Sequence, residues 1–315
     1  MSGVLRQTAL ALQKCLSGFD ASADADAASD LDELLAPIFV IGAPRTGSTL
    51  LFQAVLQHYH VAYISNLMAL MPRWMLRVCS ARRRCCSGYR SSPRQSRFGY
   101  VSGLCAPNEA GAVLRHWFGF PADAPHVDRV RATVATIARL ARAPLFVKNQ
   151  VNTTRVDALL SIFPAARLLF LTRDPVFTAQ SLIMSRRVLS TDDRQWWSVA
   201  PSGYETVLER EPLYQVLWQV DRLEELALAA CLAHPQQALV VTYEALCEQT
   251  ASTLTGIGQA FQLQATGIDA PPLDSANRVR LPADEWERLN ALHAHHFASN
   301  ARERAYRRYA IRVIG

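Results

Sequence analysis

The stretch Pro37-Ile-Phe-Val-Ile-Gly42-Ala-Pro-Arg-Thr-Gly47-Ser-Thr49 reads as a buried strand that breaks at a glycine, then a tight loop, then the start of a helix. The run up to Gly42 is short and apolar, and from Gly47 to Gln57 the apolar residues recur with helical spacing. Gly42 to Thr49 has the glycine spacing and final hydroxyl of a phosphate-binding loop, but Ser48 stands where the lysine belongs. In a nucleotide triphosphatase that lysine reaches the β- and γ-phosphates, so ordinary ATP hydrolysis is disfavoured. An anion can still be held. The backbone N–H groups of Thr46 to Thr49 at a helix N-terminus, with the hydroxyls of Thr46, Ser48 and Thr49, form a cradle, and Arg45 adds a permanent charge.

Working outward, Pro144-Leu-Phe-Val-Lys148, Arg167-Leu-Leu-Phe-Leu-Thr-Arg173 and Ala238-Leu-Val-Val-Thr242 supply further apolar strands. Helices are expected to start at Asn152 and at Asp174-Pro175, to run over Pro212 to Ala233 and Glu244 to Phe261, and to occupy the tail from about Ala283 onward. Strands alternating with helices predict an α/β fold, a P-loop-like and mainly parallel sheet flanked by helices. A helix over Val4 to Leu16 and an Ala/Asp-rich connector precede it, which divides the chain into residues 1–36 and a single domain over 37–315 with an Arg-rich insertion between Arg73 and Arg97.

The composition is permissive. Half of the 315 residues are hydrophobic and 19% are charged, enough to bury a large core. The net charge of +6 suits a polyanionic ligand without selecting among nucleotide, RNA and anionic membrane. The sequence carries neither a signal-peptide pattern nor the roughly 18 uninterrupted apolar residues of a membrane span, which predicts a cytoplasmic protein. Seven cysteines without CxxC or zinc-ligand spacing read as reduced thiols.

Two of these segments together resemble the PAPS-dependent sulfotransferases, enzymes that use 3′-phosphoadenosine 5′-phosphosulfate (PAPS). Pro44-Arg-Thr-Gly-Ser-Thr49 matches their first signature, and Leu171-Thr-Arg173-Asp-Pro-Val-Phe-Thr-Ala-Gln-Ser181 matches the second, a strand ending in Arg-Asp/Asn-Pro with a serine eight residues after the arginine. The resemblance implies that Arg45, Thr46, Gly47, Ser48 and Thr49 hold the 5′-phosphosulfate, that Arg173 and Ser181 bind the 3′-phosphate, and that the product is 3′-phosphoadenosine 5′-phosphate (PAP). Weaker likeness extends from Pro37 to Leu263, through Phe146-Val-Lys148-Asn149 and Val241-Thr-Tyr243-Glu244. It is nearest to the bacterial small-molecule and carbohydrate-like branch. The animal enzymes' Lys-x-His reads Lys148-Asn149-Gln150 here, which removes the obvious base. Arg278 and Arg280 stand where the family places a late basic loop, without its Arg-Lys-Gly form.

Transfer of a sulfuryl group to a hydroxyl or amine needs positive charge on the transferring group and a base for the acceptor proton. Arg45 and Lys148 are candidates for the charge. Glu109 is the preferred base, with His116 the alternative, on the same helical face if a helix begins at Pro107. The acceptor is expected to be a small molecule, lipid or carbohydrate, in a pocket formed by the Arg-rich insertion and the segment from Glu109 to Trp117. Trp196, Trp197 and Trp218 are either core or cavity lining. His293, His295 and His296 lack companion ligands, and no metal is expected. The arginine cluster between Arg73 and Arg97 could also meet an acidic acceptor or a lipid surface, but no nucleic-acid motif accompanies it. The rival readings are a kinase with a degenerate phosphate loop and a protein that binds a nucleotide or nucleic acid without turnover.

Overall fold

A computed structural model of the chain describes residues 36–81, 86–89, 96–97, 100–118, 124–190, 192–270, 272–297 and 312–314. The expected N-terminal helix and connector, most of the arginine cluster and residues 298–311 of the tail lie outside them. Four of the apolar runs become strands: β1 (Ile38–Ile41), β4 (Phe146–Lys148), β5 (Arg167–Thr172) and β6 (Ala238–Thr242), while β2 (Ser96–Arg97) and β3 (Tyr100–Val101) form a separate small hairpin. The main sheet is wholly parallel in the order β4-β1-β5-β6-β7, the last strand being β7 (Arg312–Ile314). The chain passes from β1 to β4 on one side and later to β5 on the other, so the C-terminal ends of these strands flank the switch in winding where α/β sheets bind ligands.

Alternation along each strand sends side chains to two faces. Phe39, Ile41, Val147, Leu168, Phe170 and Val240 pack on one side, against α5 (Ala124–Ala141), α6 (Val156–Ile162) and α8 (Pro212–Ala233). Ile38, Val40, Phe146, Leu169, Leu171 and Val241 pack on the other, against α1 (Ser48–His58) and α10 (Thr250–Phe261). A third cluster joins α7 (Pro175–Leu189), α8 and α11 (Ala283–His296). The Asp174-Pro175 start is built as the sequence predicts: the Asp174 carboxylate accepts from the N–H groups of Val176 and Phe177 at 2.9 and 3.0 Å, and Pro175 opens the first turn.

Four expectations are corrected. The tail is not helical throughout: α11 stops at His296, and Arg312–Ile314 adds an edge strand to β6, because the open edge offers backbone partners that local propensity does not reveal. The helix expected from Glu244 divides at Gln249 into α9 (Tyr243–Glu248) and α10. The helix expected at Pro107 is α4 (Gly111–Phe118), since Pro107 bridges to Ser65, at the start of α2 (Asn66–Leu70), and Ala110 takes a left-handed turn at φ 58°. The cysteines are not all thiols. Cys79, in α3 (Met75–Ala81), is bridged to Cys86 with their Cα atoms 5.7 Å apart, and Cys105 is also disulfide-bonded. Cys231 and Cys247 are free and buried, and burial pushes the Cys231 thiol up to about 12. No helix among the described residues is long and apolar enough to cross a membrane.

Candidate functional site

Four strand ends build one cavity of about 370 Å³. The loop after β1 brings Arg45, Gly47, Ser48 and Thr49, β4 ends on Lys148, Arg173 follows β5 with Ser181 behind it on α7, and Tyr243 follows β6. Arg280 also lines it. Among the described residues, four cations and one carboxylate, Glu109, line the space. Buried like charges are costly unless an anion joins them. Burial, then Arg280 and Arg173, holds the Arg45 guanidinium below its ordinary pKa.

Arg173 ties the two phosphate-type segments together. Its Nη1 donates to the Arg45 carbonyl at 2.9 Å and its Nε to Asn277 Oδ1 at 2.7 Å, while the guanidinium lies 4.5 Å from the centre of the Tyr243 ring. Its Nη2 is buried with no hydrogen-bond partner. A buried charged donor left unsatisfied is expensive, and an anion in the cavity is the natural remedy. Arg45 in turn donates from Nε to Ser181 Oγ at 3.1 Å.

Gly47 is required twice over. Its φ is 90°, and a Cβ there would run into the Tyr243 ring. Gly47→Ala is therefore expected to lower stability by about 1–3 kcal/mol and to weaken anion binding at least roughly tenfold, read by thermal melting and by titration with PAP. Unchanged binding would mean that the ring yields freely.

Lys148 is buried, donates to Thr49 Oγ1 at 3.0 Å and forms an ion pair with Glu109. Burial lowers its pKa, Glu109 opposes that shift, and Arg45 adds to it. The ammonium missing from the phosphate loop is thus supplied by the neighbouring strand. Glu109 is held by its backbone: Asn149 Nδ2 donates to its carbonyl at 2.9 Å, and Asn108 Oδ1 accepts from Ala110 N at 2.7 Å to shape the turn.

The structure distributes the other sequence-derived residues unevenly. The Thr46 hydroxyl donates to the Ala43 carbonyl at 3.0 Å and is unavailable to a ligand. Arg280 lines the cavity, whereas Arg278 is exposed and outside it. His116 does not meet Glu109. It sits on α4 against His126, outside both cavities, because the helix starts two residues after Glu109. Trp197 lines the cavity, and Trp196 packs on Trp218. Among the described residues no group of three or more His, Cys, Asp or Glu could hold a metal ion.

Several site residues were missed. Gln150 Nε2 donates to Ser48 Oγ, and Asn277 Nδ2 donates to Glu244 at 2.7 Å. Gln180, buried beside Ser181, accepts from the Arg280 N–H at 2.7 Å and donates to the Arg278 carbonyl at 2.9 Å, which fixes the late basic loop. A polar residue within an apolar helix face was the signal available for Gln180. In the sequence Gln150 stands out only as the departure from Lys-x-His, and Asn277 only as the start of the late basic loop, and neither pattern gives it a role in the site.

A second cavity of about 700 Å³ adjoins the first, and Glu109, Gln150 and Ser198 line both. Ser198 has a left-handed φ of 71°, and Gln219 holds its neighbours through the carbonyls of Trp197 and Val199, at 3.0 and 2.7 Å. The described part of the Arg-rich insertion contributes no arginine to either lining.

The profile described as the sulfotransferase family matches residues 37–267. No curated protein matches the chain. Among solved structures, sulfotransferase STF9 from Mycobacterium avium aligns with a TM-score of 0.54 at 15% identity, covering 98% of this chain and 85% of that one. Sulfotransferase STF1 from Mycobacterium tuberculosis H37Rv gives 0.47 at 18%, covering 87% and 76%. The likeness to the first is one of fold.

Proposed function

Since this chain belongs to the sulfotransferase family, we propose that it moves a sulfuryl group from PAPS to a hydroxyl or amine of a small-molecule, lipid or carbohydrate acceptor and releases PAP. The observation that carries the donor assignment is the buried, unsatisfied Nη2 of Arg173 in a cavity lined by Arg45, Lys148 and Arg280. A ligand that carries two phosphate groups suits a cavity with several cations in its lining. Arg173 and Ser181, with Arg280 beside them, take the 3′-phosphate, and the loop from Arg45 to Thr49 takes the phosphosulfate.

PAPS supplies an activated sulfuryl group and a phosphate leaving group. The protein's part is to orient the acceptor, take its proton and balance charge. Glu109 stands where the two cavities meet and, among the described residues, is the only ionisable side chain shared by their linings, so it is assigned the acceptor proton. Lys148 keeps that carboxylate in place and brings positive charge to the phosphate loop.

The kinase reading is disfavoured by the same geometry. In a phosphate-loop triphosphatase the final Ser or Thr hydroxyl binds magnesium, and here the Lys148 ammonium donates to the Thr49 hydroxyl. Calorimetric titration decides between them: PAP is expected to bind with a micromolar dissociation constant, and ATP with magnesium far more weakly. Tight binding of ATP with magnesium and none of PAP would overturn the donor assignment.

A further inference from the structure

The second cavity is lined on its apolar side by Leu70, Leu104, Val151 and Val199. Leu70 and Leu104 are 46% and 64% exposed, unusual for large apolar side chains at a cavity. The only carboxylate in the lining among the described residues, Glu109, is already paired with Lys148. The lining also carries a cation, Arg115, on α4 one turn beyond Gly111. Arg115 has no ion pair among the described residues, and its charged neighbour Arg155 repels it. Arg155 is itself engaged, stacked over Phe118 at 5.4 Å and donating to the Leu114 carbonyl at 3.4 Å. Two adjacent guanidinium groups, one of them uncommitted and facing a cavity with apolar walls, form a site for an anion attached to an apolar body.

We propose that the acceptor is an amphiphilic hydroxy acid, with its hydroxyl at Glu109, Gln150 and Ser198, its apolar body against Leu70, Leu104 and Val199, and its carboxylate on Arg115. This rests on the sulfuryl-transfer reading, since only that reading makes Glu109 the place where the hydroxyl must arrive. A carboxylate is chosen because one exposed guanidinium offers a planar fork and a single balancing charge.

The test is calorimetric titration of the PAP-saturated protein with a graded series of omega-hydroxy fatty acids and with their methyl esters. At the best chain length the acid is expected to bind about tenfold more tightly than its ester, and Arg115→Gln is expected to erase the difference. Leu104→Ser should weaken acid and ester alike. Equal affinity of acid and ester in the wild type, no binding of any acid, or a preference for the acid that survives Arg115→Gln would each overturn the proposal. PAP titration of the same preparations separates the two levels. If PAP binds and the acids do not, the acceptor class fails alone; if PAP does not bind, the donor reading fails first.

Discussion

Arg173→Ala is expected to weaken PAP binding by about 100-fold, close to 3 kcal/mol, while binding of adenosine 5′-monophosphate changes little. Wild-type protein should prefer PAP strongly over the monophosphate, which lacks the 3′-phosphate, and the variant should bind the two almost equally. The size follows from losing charge-assisted hydrogen bonds in a site where the guanidinium is already desolvated. Arg173 also supports the Arg45 carbonyl and Asn277, so part of any loss could come from a displaced loop. Arg173→Lys separates these effects, because it keeps the charge and gives up the fork, and its affinity should fall between the other two. If the alanine variant melts like the wild type and still prefers PAP, the 3′-phosphate lies elsewhere.

Glu109→Gln should leave PAP affinity within about threefold of wild type and reduce kcat by about 100-fold to 10,000-fold, the range expected for loss of a general base. Two roles compete at this residue. Glu109 is the partner of a buried lysine, and removing its charge deprives Lys148 of the carboxylate that opposes the effect of its burial. The pH profile distinguishes them. A base gives kcat/KM an acidic limb that disappears in the glutamine variant. If the limb persists and only the level falls, Glu109 positions Lys148 and another group takes the proton. Gln150, which stands where a histidine would be the obvious base, has no titratable atom and cannot fill that role.

The elements whose physics is local were legible from the chain alone. The strands at Ile38, Phe146, Arg167 and Ala238 are continuous apolar runs because both faces of a parallel sheet are covered, and the structure has them at those places. The cap at Asp174 and the long helix from Pro212 to Ala233 follow equally from near-neighbour chemistry. What escaped depends on contacts between distant segments. The edge strand at Arg312 exists only because β6 offers it partners, and the start of α4 was displaced when Pro107 bridged to Ser65. Cys79 and Cys86 carry no pairing signal in their spacing, and only the folded chain shows them bridged.

The site divides along the same line. The sequence by itself determined that a strand, a tight glycine loop and a helix N-terminus would present N–H groups to an anion, and that Arg173 would stand at a strand end on the ligand side of the sheet, because backbone geometry and helix polarity are written in consecutive residues. Only the tertiary structure decided which side chains face that cradle. It brought Lys148 to Thr49 across 99 positions and Arg45 to Ser181 across 136. It spent the Thr46 hydroxyl on the Ala43 carbonyl and set His116 against His126, outside both cavities. Gln180 chose Arg280 over Arg278 by fixing the loop that carries both. The direction of a side chain depends on what its element packs against, and that is settled only when the sheet has assembled the strand ends side by side.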